Sequence, residues 1–153
     1  MNIRKMKEAD IPAVSKIEKL THIQPWSENL LTDCYRSDYL CLVAEENDYQ
    51  KELKGYIILS QVLEEAHLLN LCVSFKYQGF GLGRELTARG IKEVVERGAR
   101  KMFLEVRRSN MRAISLYESF GFSEIAIRTN YYQGSSISED AVVMALVLSL
   151  IHI

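Results

Sequence analysis

Leu68-Leu69-Asn70-Leu71-Cys72-Val73 leads through Tyr77-Gln78-Gly79-Phe80-Gly81-Leu82-Gly83-Arg84 to Met102-Phe103-Leu104-Glu105-Val106 and Asn110. An apolar run, a glycine-rich turn, a helical stretch and a second apolar run follow one another, the order of a strand, a crossover helix and a parallel neighbouring strand. Three glycines at alternate positions, Gly79, Gly81 and Gly83, let the backbone turn tightly, so that consecutive N–H groups point at one spot. The helix that follows brings the positive end of its dipole to the same place. Such a spot suits a phosphate group. The turn also has a plainer reading, a tight strand-to-helix connection that binds nothing.

Outward from this stretch the pattern stays regular. The helix expected over 82–97 carries Leu86, Ile91, Val94 and Val95 on one side and Arg84, Glu85, Arg89, Lys92, Glu93 and Glu96 mostly on the other, and Gly98 ends it. Upstream, strands are expected over 2–6, 39–45, 53–62 and 66–73. Gly55-Tyr56-Ile57-Ile58-Leu59 is nearly all apolar, as in a strand covered on both faces. Asp10 is the expected N-cap of a first helix with Pro12 in its first turn and Ile11, Val14, Ile17 and Leu20 facing inward. Pro25 breaks the pattern, and Ser27 caps a second, short helix through Leu30, Leu31 and Cys34. Downstream, Asn110 caps a helix over 111–119 that Gly121 terminates, and strands over 122–131 and 141–150 flank a polar loop at 133–140. The fold class that results is α/β of the mixed α+β kind: a seven-stranded, mostly antiparallel sheet with a central parallel strand–helix–strand crossover, in one domain over residues 1–153.

A chain of 153 residues buries about 70% of the surface its unfolded form exposes. Its 48% hydrophobic and 25% charged content is ordinary for a globular protein. No apolar run approaches the ~18 residues of a membrane span. Met1-Asn2-Ile3-Arg4-Lys5 alternates like a strand and lacks the apolar block of a signal peptide, which makes a cytoplasmic location the expectation. A net charge of −1 gives no general drive toward nucleic acid, so an anionic ligand has to be held by a local arrangement. Cys34, Cys41 and Cys72 are odd in number and form no C-x-x-C pair, and His22, His67 and His152 lack metal-ligand spacing. Neither a disulfide nor a metal site is expected.

Three phosphate-binding readings of the turn compete. A P-loop ends in Gly-Lys-Ser/Thr, whereas Gly83 is followed by Arg84-Glu85. A dinucleotide fold requires a third glycine that neither Gly79 nor Gly81 has. Glu105 lies roughly 20 residues beyond the turn, as a ribose-binding acid would, yet it sits inside a strand, and antiparallel strands stand where βαβ units would continue. The third reading is Q-x-x-G-x-G, here Gln78-Gly79-Phe80-Gly81-Leu82-Gly83, running into a helix N-terminus.

With this turn the sequence resembles the GNAT superfamily of N-acetyltransferases, whose members hold the pyrophosphate of acetyl-coenzyme A there. Pro25-Trp26-Ser27, Asn70-Leu71-Cys72-Val73, Leu104-Glu105-Val106-Arg107, Ser109-Asn110, Leu116-Tyr117-Glu118-Ser119, Gly121-Phe122 and Asn130-Tyr131-Tyr132 are similar to the ribosomal-protein-alanine N-acetyltransferases of the RimI type. The turn identifies only the superfamily; Pro-Trp-Ser, Leu-Glu-Val-Arg and Asn-Tyr-Tyr together are more specific.

The resemblance implies acetyl-CoA as co-substrate, no metal, and transfer to the N-terminal alanine of the eighteenth small-subunit ribosomal protein by direct attack in a ternary complex. An α-amino group with a pKa near 7.7–8.0 must lose a proton to attack, and Glu105 is the expected base, directly or through water. Met102, Leu104 and Val106 share one strand face, which leaves Glu105 on the other, where it also reads as a plain surface glutamate. Apolar strand neighbours would raise its pKa, to the benefit of a base. Tyr117 resembles the family's acid, which returns a proton to the departing thiolate; Ala113, Tyr117 and Phe120 at helical spacing also read as core. Backbone N–H groups along Leu71, Cys72 and Val73 are the expected donors to the developing oxyanion, with the Cys72 thiol a bystander. Gln78, Gly79, Phe80, Gly81, Leu82, Gly83 and Arg84 would hold the pyrophosphate, with no cation between Gln78 and Gly81, and Asn110 would meet the pantetheine arm. Trp26, Tyr131 and Tyr132 read as core aromatics or as walls of a peptide groove. Partners are then acetyl-CoA and a ribosomal-protein N-terminus, with no direct nucleic-acid or membrane contact. A relaxed N-terminal or small-amine acetyltransferase and a non-catalytic coenzyme A-binding module are the alternatives.

Overall fold

The order of strands and helices read from the residues is the order found. The computed structural model describes residues 2–132 and 138–148. It runs β1 Asn2–Lys5, α1 Ile11–Thr21, α2 Glu28–Arg36, β2 Leu40–Glu45, β3 Leu53–Val62, β4 Glu65–Val73, α3 Leu82–Glu96, β5 Lys101–Arg107, α4 Met111–Ser119, β6 Ser123–Tyr132 and β7 Glu139–Val147. The sheet has seven strands in the order β1-β2-β3-β4-β5-β7-β6. The β4–β5 pair is parallel, as the crossover through α3 requires, while β1–β2, β2–β3, β5–β7 and β6–β7 are antiparallel. Among the described residues no helix is long and apolar enough to cross a membrane.

The residues fall into two compact units, Met1–Ser60 with Leu69–Glu93 and Gln61–Leu68 with Val94–Ile153. In the first, β2 is buried at every position and β3 over its Gly55-to-Leu59 run, which is why both are apolar without alternation. Ile11, Val14 and Ile17 of α1, Leu31 and Cys34 of α2, and Tyr56 and Ile58 of β3 form one core cluster. Gly55 is needed here for closeness: a Cβ would stand 2.6 Å from the Cys72 carbonyl oxygen.

One expectation about α1 fails, and another, the N-cap at Asp10, holds in position but without a side-chain bond. Leu20 points outward and is 64% exposed, and Glu18 is buried in its place. The inward stripe runs Ile11, Val14, Ile17, Glu18, one helical step away from Leu20, because Glu18 finds polar partners inside. Asp10 precedes α1 as read, but its carboxylate makes no cap bond to that helix. It accepts instead from the Lys7 backbone N–H at 2.7 Å and from the Arg4 guanidinium at 2.8 and 2.9 Å.

In the second unit, residues 65–68 of β4 pair with residues 101–104 of β5. β7 lies between β5 and β6, so the closing hairpin has its second strand inside and its first at the edge. Met102, Leu104 and Val106 are buried and Glu105 is not, the alternation read from the sequence. β6 is exposed along nearly its whole length, and its pairing with β7 shifts register at two places, between Glu124 and Ala126 and between Arg128 and Tyr132. Of the polar loop, residues 133–137 lie outside the described residues, and Glu139 and Asp140 belong to β7 rather than to the loop. Residues 149 and 150, expected in the last strand, also lie outside them.

Candidate active site

The glycine turn is built by two of its three glycines. Gly79 and Gly81 have φ of 89° and 83°, where a side chain is strained. Gly83 is inside α3: the Glu85 N–H reaches the Gly81 carbonyl at 3.1 Å, and the Thr87 hydroxyl donates to the Gly83 carbonyl at 2.7 Å. Gln78 is committed to the turn itself, its Nε2 donating to the Val73 carbonyl at 2.9 Å and so closing the loop onto the end of β4. Leu82 is buried and anchors the helix, whereas Phe80 at the tip is 81% exposed. Among the described residues, none beyond the chain neighbours Phe80 and Leu82 has an atom within 4 Å of the position a Cβ on Gly81 would take. The first-turn N–H groups of α3 have no carbonyl inside the helix to reach. An anion fits such a cradle, with exposed Arg84 on the first turn.

Beside the turn, β4 carries Leu71, Cys72 and Val73. The Cys72 side chain is buried, its Sγ 2.7 Å from the Thr21 hydroxyl. Burial pushes the thiol up to about 11, so at neutral pH it is no nucleophile.

Sequence reasoning missed the polar centre of this unit. The Glu18 carboxylate, 1% exposed, accepts the Tyr56 hydroxyl and, at 2.8 Å, Asn70 Nδ2 on Oε1, and the Trp26 backbone N–H at 2.9 Å on Oε2. His22 Nε2 stands 3.3 Å from Oε1 without the alignment of a hydrogen bond. A buried carboxylate is tolerated because its oxygens are satisfied in this way. The signal was present: Glu18 falls four residues after Val14, on the apolar stripe. Trp26 itself is half-buried, its ring packed against the core cluster.

In the second unit the structure brings Glu105, Tyr117, Tyr131 and Tyr132 into one neighbourhood. Glu105 projects from β5 and accepts from Arg128 Nη1 of β6 at 2.7 Å, so its neighbour is a cation and not the apolar surroundings expected. The Arg128 guanidinium lies 4.0 Å from the centre of the Tyr131 ring, and that of Arg107 lies 4.2 Å from the centre of Tyr132. The two tyrosine rings meet edge to face, centres 5.1 Å apart. Tyr117 is buried on α4 with its ring edge-on to Phe122 at 5.8 Å. Burial, and after it the nearness of Tyr132, drives its hydroxyl well above the ordinary tyrosine range, so it keeps its proton at neutral pH. The same cause lifts Tyr132 to about 12.

Asn110 caps α4, its Oδ1 accepting from the Ala113 N–H at 3.2 Å. Asp140 accepts the Asn130 N–H at 2.9 Å, where the chain takes a left-handed φ of 52°, and this bend sets Tyr131 and Tyr132. Of the residues singled out in the sequence, Trp26, Leu71, Cys72, Val73 and the turn from Gln78 to Arg84 belong to the first unit. Glu105, Asn110, Tyr117, Tyr131 and Tyr132 belong to the second. Among the described residues no group of three or more His, Cys, Asp or Glu side chains is arranged to hold a metal.

Comparison with known proteins gives a consistent picture. Residues 9–122 match the family model of the acetyltransferase (GNAT) family. The chain is 40% identical over 148 residues to the [ribosomal protein bS18]-alanine N-acetyltransferase of Escherichia coli strain K12, covering 97% of this chain and 98% of that one. The crystal structure of the ribosomal-protein-S18-alanine N-acetyltransferase from Escherichia coli superimposes with a TM-score of 0.89, covering 96% of this chain and 93% of that one at 40% identity. A putative acetyltransferase from Salmonella typhimurium, solved with its cofactor acetyl-CoA, matches with a TM-score of 0.82 at 25% identity, over 97% of this chain and 94% of that one.

Proposed function

Because the chain belongs to the acetyltransferase (GNAT) family, we propose that this acetyl-CoA-dependent N-acetyltransferase acetylates the N-terminal alanine of ribosomal protein bS18 in the cytoplasm. Support for the substrate comes from the 40% identity to an enzyme of that name over nearly all of both chains. The observation that carries the reaction is the pairing of an accessible carboxylate with a buried, protonated hydroxyl in one unit, Glu105 on β5 and Tyr117 on α4.

The thioester of acetyl-CoA supplies an activated acetyl group. Glu105 takes a proton from the α-ammonium, directly or through water, which frees the nitrogen lone pair to attack in a ternary complex. A C–N bond forms, the C–S bond breaks, Tyr117 gives its proton to the leaving sulfur, and the surplus proton on the new amide nitrogen returns to the tyrosine oxygen directly or through water, leaving a neutral amide and a thiol. Backbone N–H groups of Leu71, Cys72 and Val73 stabilise the carbonyl oxygen while it is negative. The cradle at Gly79, Gly81 and the α3 N-terminus holds the pyrophosphate, Asn110 meets the pantetheine arm, and Trp26, Tyr131 and Tyr132 line the way of the peptide. Residues 1–153 act as one catalytic domain.

Incubating the protein with acetyl-CoA and peptides that differ only in their first residue tests this reading. Alanine-starting peptides are expected to be acetylated fastest. Equal rates on all first residues would favour a relaxed N-terminal enzyme, and acetyl-CoA binding without transfer would favour a binding module.

A further inference from the structure

Arg128 has no place in the chemistry above, yet it is the residue that holds the proposed base. The register explains how an arginine two strands away reaches Glu105. Across β7, Arg107 and Arg128 both stand opposite Ala141, and Glu105 and Ala126 both stand opposite Val143. These two rows are neighbours on one face of the sheet, because positions 105 and 107, and 141 and 143, are two residues apart. Ala141 is the smallest side chain that could stand between the arginines, and it leaves Arg128 free to lie diagonally over β7. Each arginine then stacks on its own tyrosine and takes its own acid: Arg107 with Tyr132 and Glu139, Arg128 with Tyr131 and Glu105.

We infer that Arg128 is a positioning residue for Glu105: clamped against the Tyr131 ring, its guanidinium fixes Oε1 and turns Oε2 toward the incoming amine. Among the described residues Oε2 has no hydrogen-bond partner, so it is the oxygen left to take the proton. Stability does not account for the contact. With the Arg128 side chain 51% and the Glu105 side chain 32% exposed, such a pair adds little to folding. Orientation does account for it: a glutamate on an open strand face has several rotamers, and a base must present one oxygen along one line. The planar guanidinium does this through a directed bond while the ring beneath keeps it from swinging away, a combination that lysine lacks.

This inference rests on the reading of Glu105 as the base, and the test separates the two. Initial rates with acetyl-CoA and an alanine-starting peptide are compared for wild type, Arg128→Gln and Arg128→Lys, alongside melting curves. Arg128→Gln is expected to lower kcat roughly tenfold, with the KM for acetyl-CoA unchanged and the melting curve nearly superimposable. Arg128→Lys recovers only part of the rate, since it restores charge but not the fork or the stack. An unchanged kcat in Arg128→Gln would overturn the inference and leave the functional reading standing. So would a loss confined to the peptide KM, which would make Arg128 a peptide contact. Wild type that transfers nothing to the peptide would overturn both.

Discussion

The Glu18 carboxylate accepts the Trp26 backbone N–H at 2.9 Å through one oxygen and Asn70 Nδ2 at 2.8 Å through the other. One buried acid on α1 thus fixes both the connection that carries the Pro-Trp-Ser motif and the strand whose N–H groups are assigned to the oxyanion. Glu18→Ala leaves the Tyr56 hydroxyl, the Asn70 amide and the Trp26 N–H without an acceptor, and is expected to cost about 3 kcal/mol. Trp26 is the only tryptophan, so its emission reports on this connection directly. Urea titration should show the loss of stability, and emission should shift to the red. A change below about 1 kcal/mol would mean that the network is not a determinant of the fold.

Glu105→Gln keeps the shape of the side chain and removes its capacity to take a proton. Turnover should fall by about 100-fold or more, while acetyl-CoA binding measured by calorimetry stays nearly unchanged. Normal turnover with weakened cofactor binding would contradict the role of base.

Tyr117→Phe removes only a hydroxyl from a buried ring that packs against Phe122. The expected outcome is transfer slowed by about 100-fold in rapid-mixing kinetics, with a melting temperature close to wild type. Wild-type rates would return Tyr117 to a purely packing role.

Gly55 and Gly81 separate two uses of glycine. Gly55→Ala drives a Cβ to 2.6 Å from the Cys72 carbonyl oxygen and should destabilise by about 2–3 kcal/mol, because backbone has to move. At Gly81 no described residue beyond Phe80 and Leu82 is in the way and the cost is conformational, about 1 kcal/mol. Its larger effect should be on acetyl-CoA affinity, through the altered aim of the turn. Chemical denaturation and calorimetry on both variants check the contrast.

The buried thiols carry a pH signature. Burial lifts Cys72 from about 9 to about 11 and Cys41 to about 12, and raises Cys34 as well. Unfolded chain therefore releases these protons first as pH rises, so their contribution to stability is intact below pH 9 and is lost progressively between about 9 and 12. Thiol titration with an aromatic disulfide at pH 8 should find none of the three reactive until denaturant is added.

What the sequence made legible follows from what repeats along it. β3 and β5 announced themselves by continuous and by alternating apolarity, and α3 by its periodicity and its closing glycine. Glu105 stood out because Met102, Leu104 and Val106 fix the opposite face. Illegible were the interactions that depend on which strands become neighbours. Arg128 meets Glu105 only because β7 inserts between β5 and β6, a placement that no local pattern announces. Glu18 is illegible for a different reason: a carboxylate on an apolar stripe is acceptable only once Tyr56 and Asn70 face it, and those partners lie far along the chain. Gly83 falls both in the glycine run and in the helix expected from residue 82, and it belongs to the helix.

Transfer of acetyl to an N-terminal alanine is the reaction on which every role above depends. Its most direct test is tandem mass spectrometry of a peptide with the N-terminal sequence of ribosomal protein bS18 after incubation with acetyl-CoA and this protein. One acetyl group on the α-nitrogen of the first alanine, absent when Glu105→Gln replaces wild type, is the predicted result. An unmodified peptide in the presence of protein that binds acetyl-CoA, or an acetyl group on a lysine side chain instead, would contradict it.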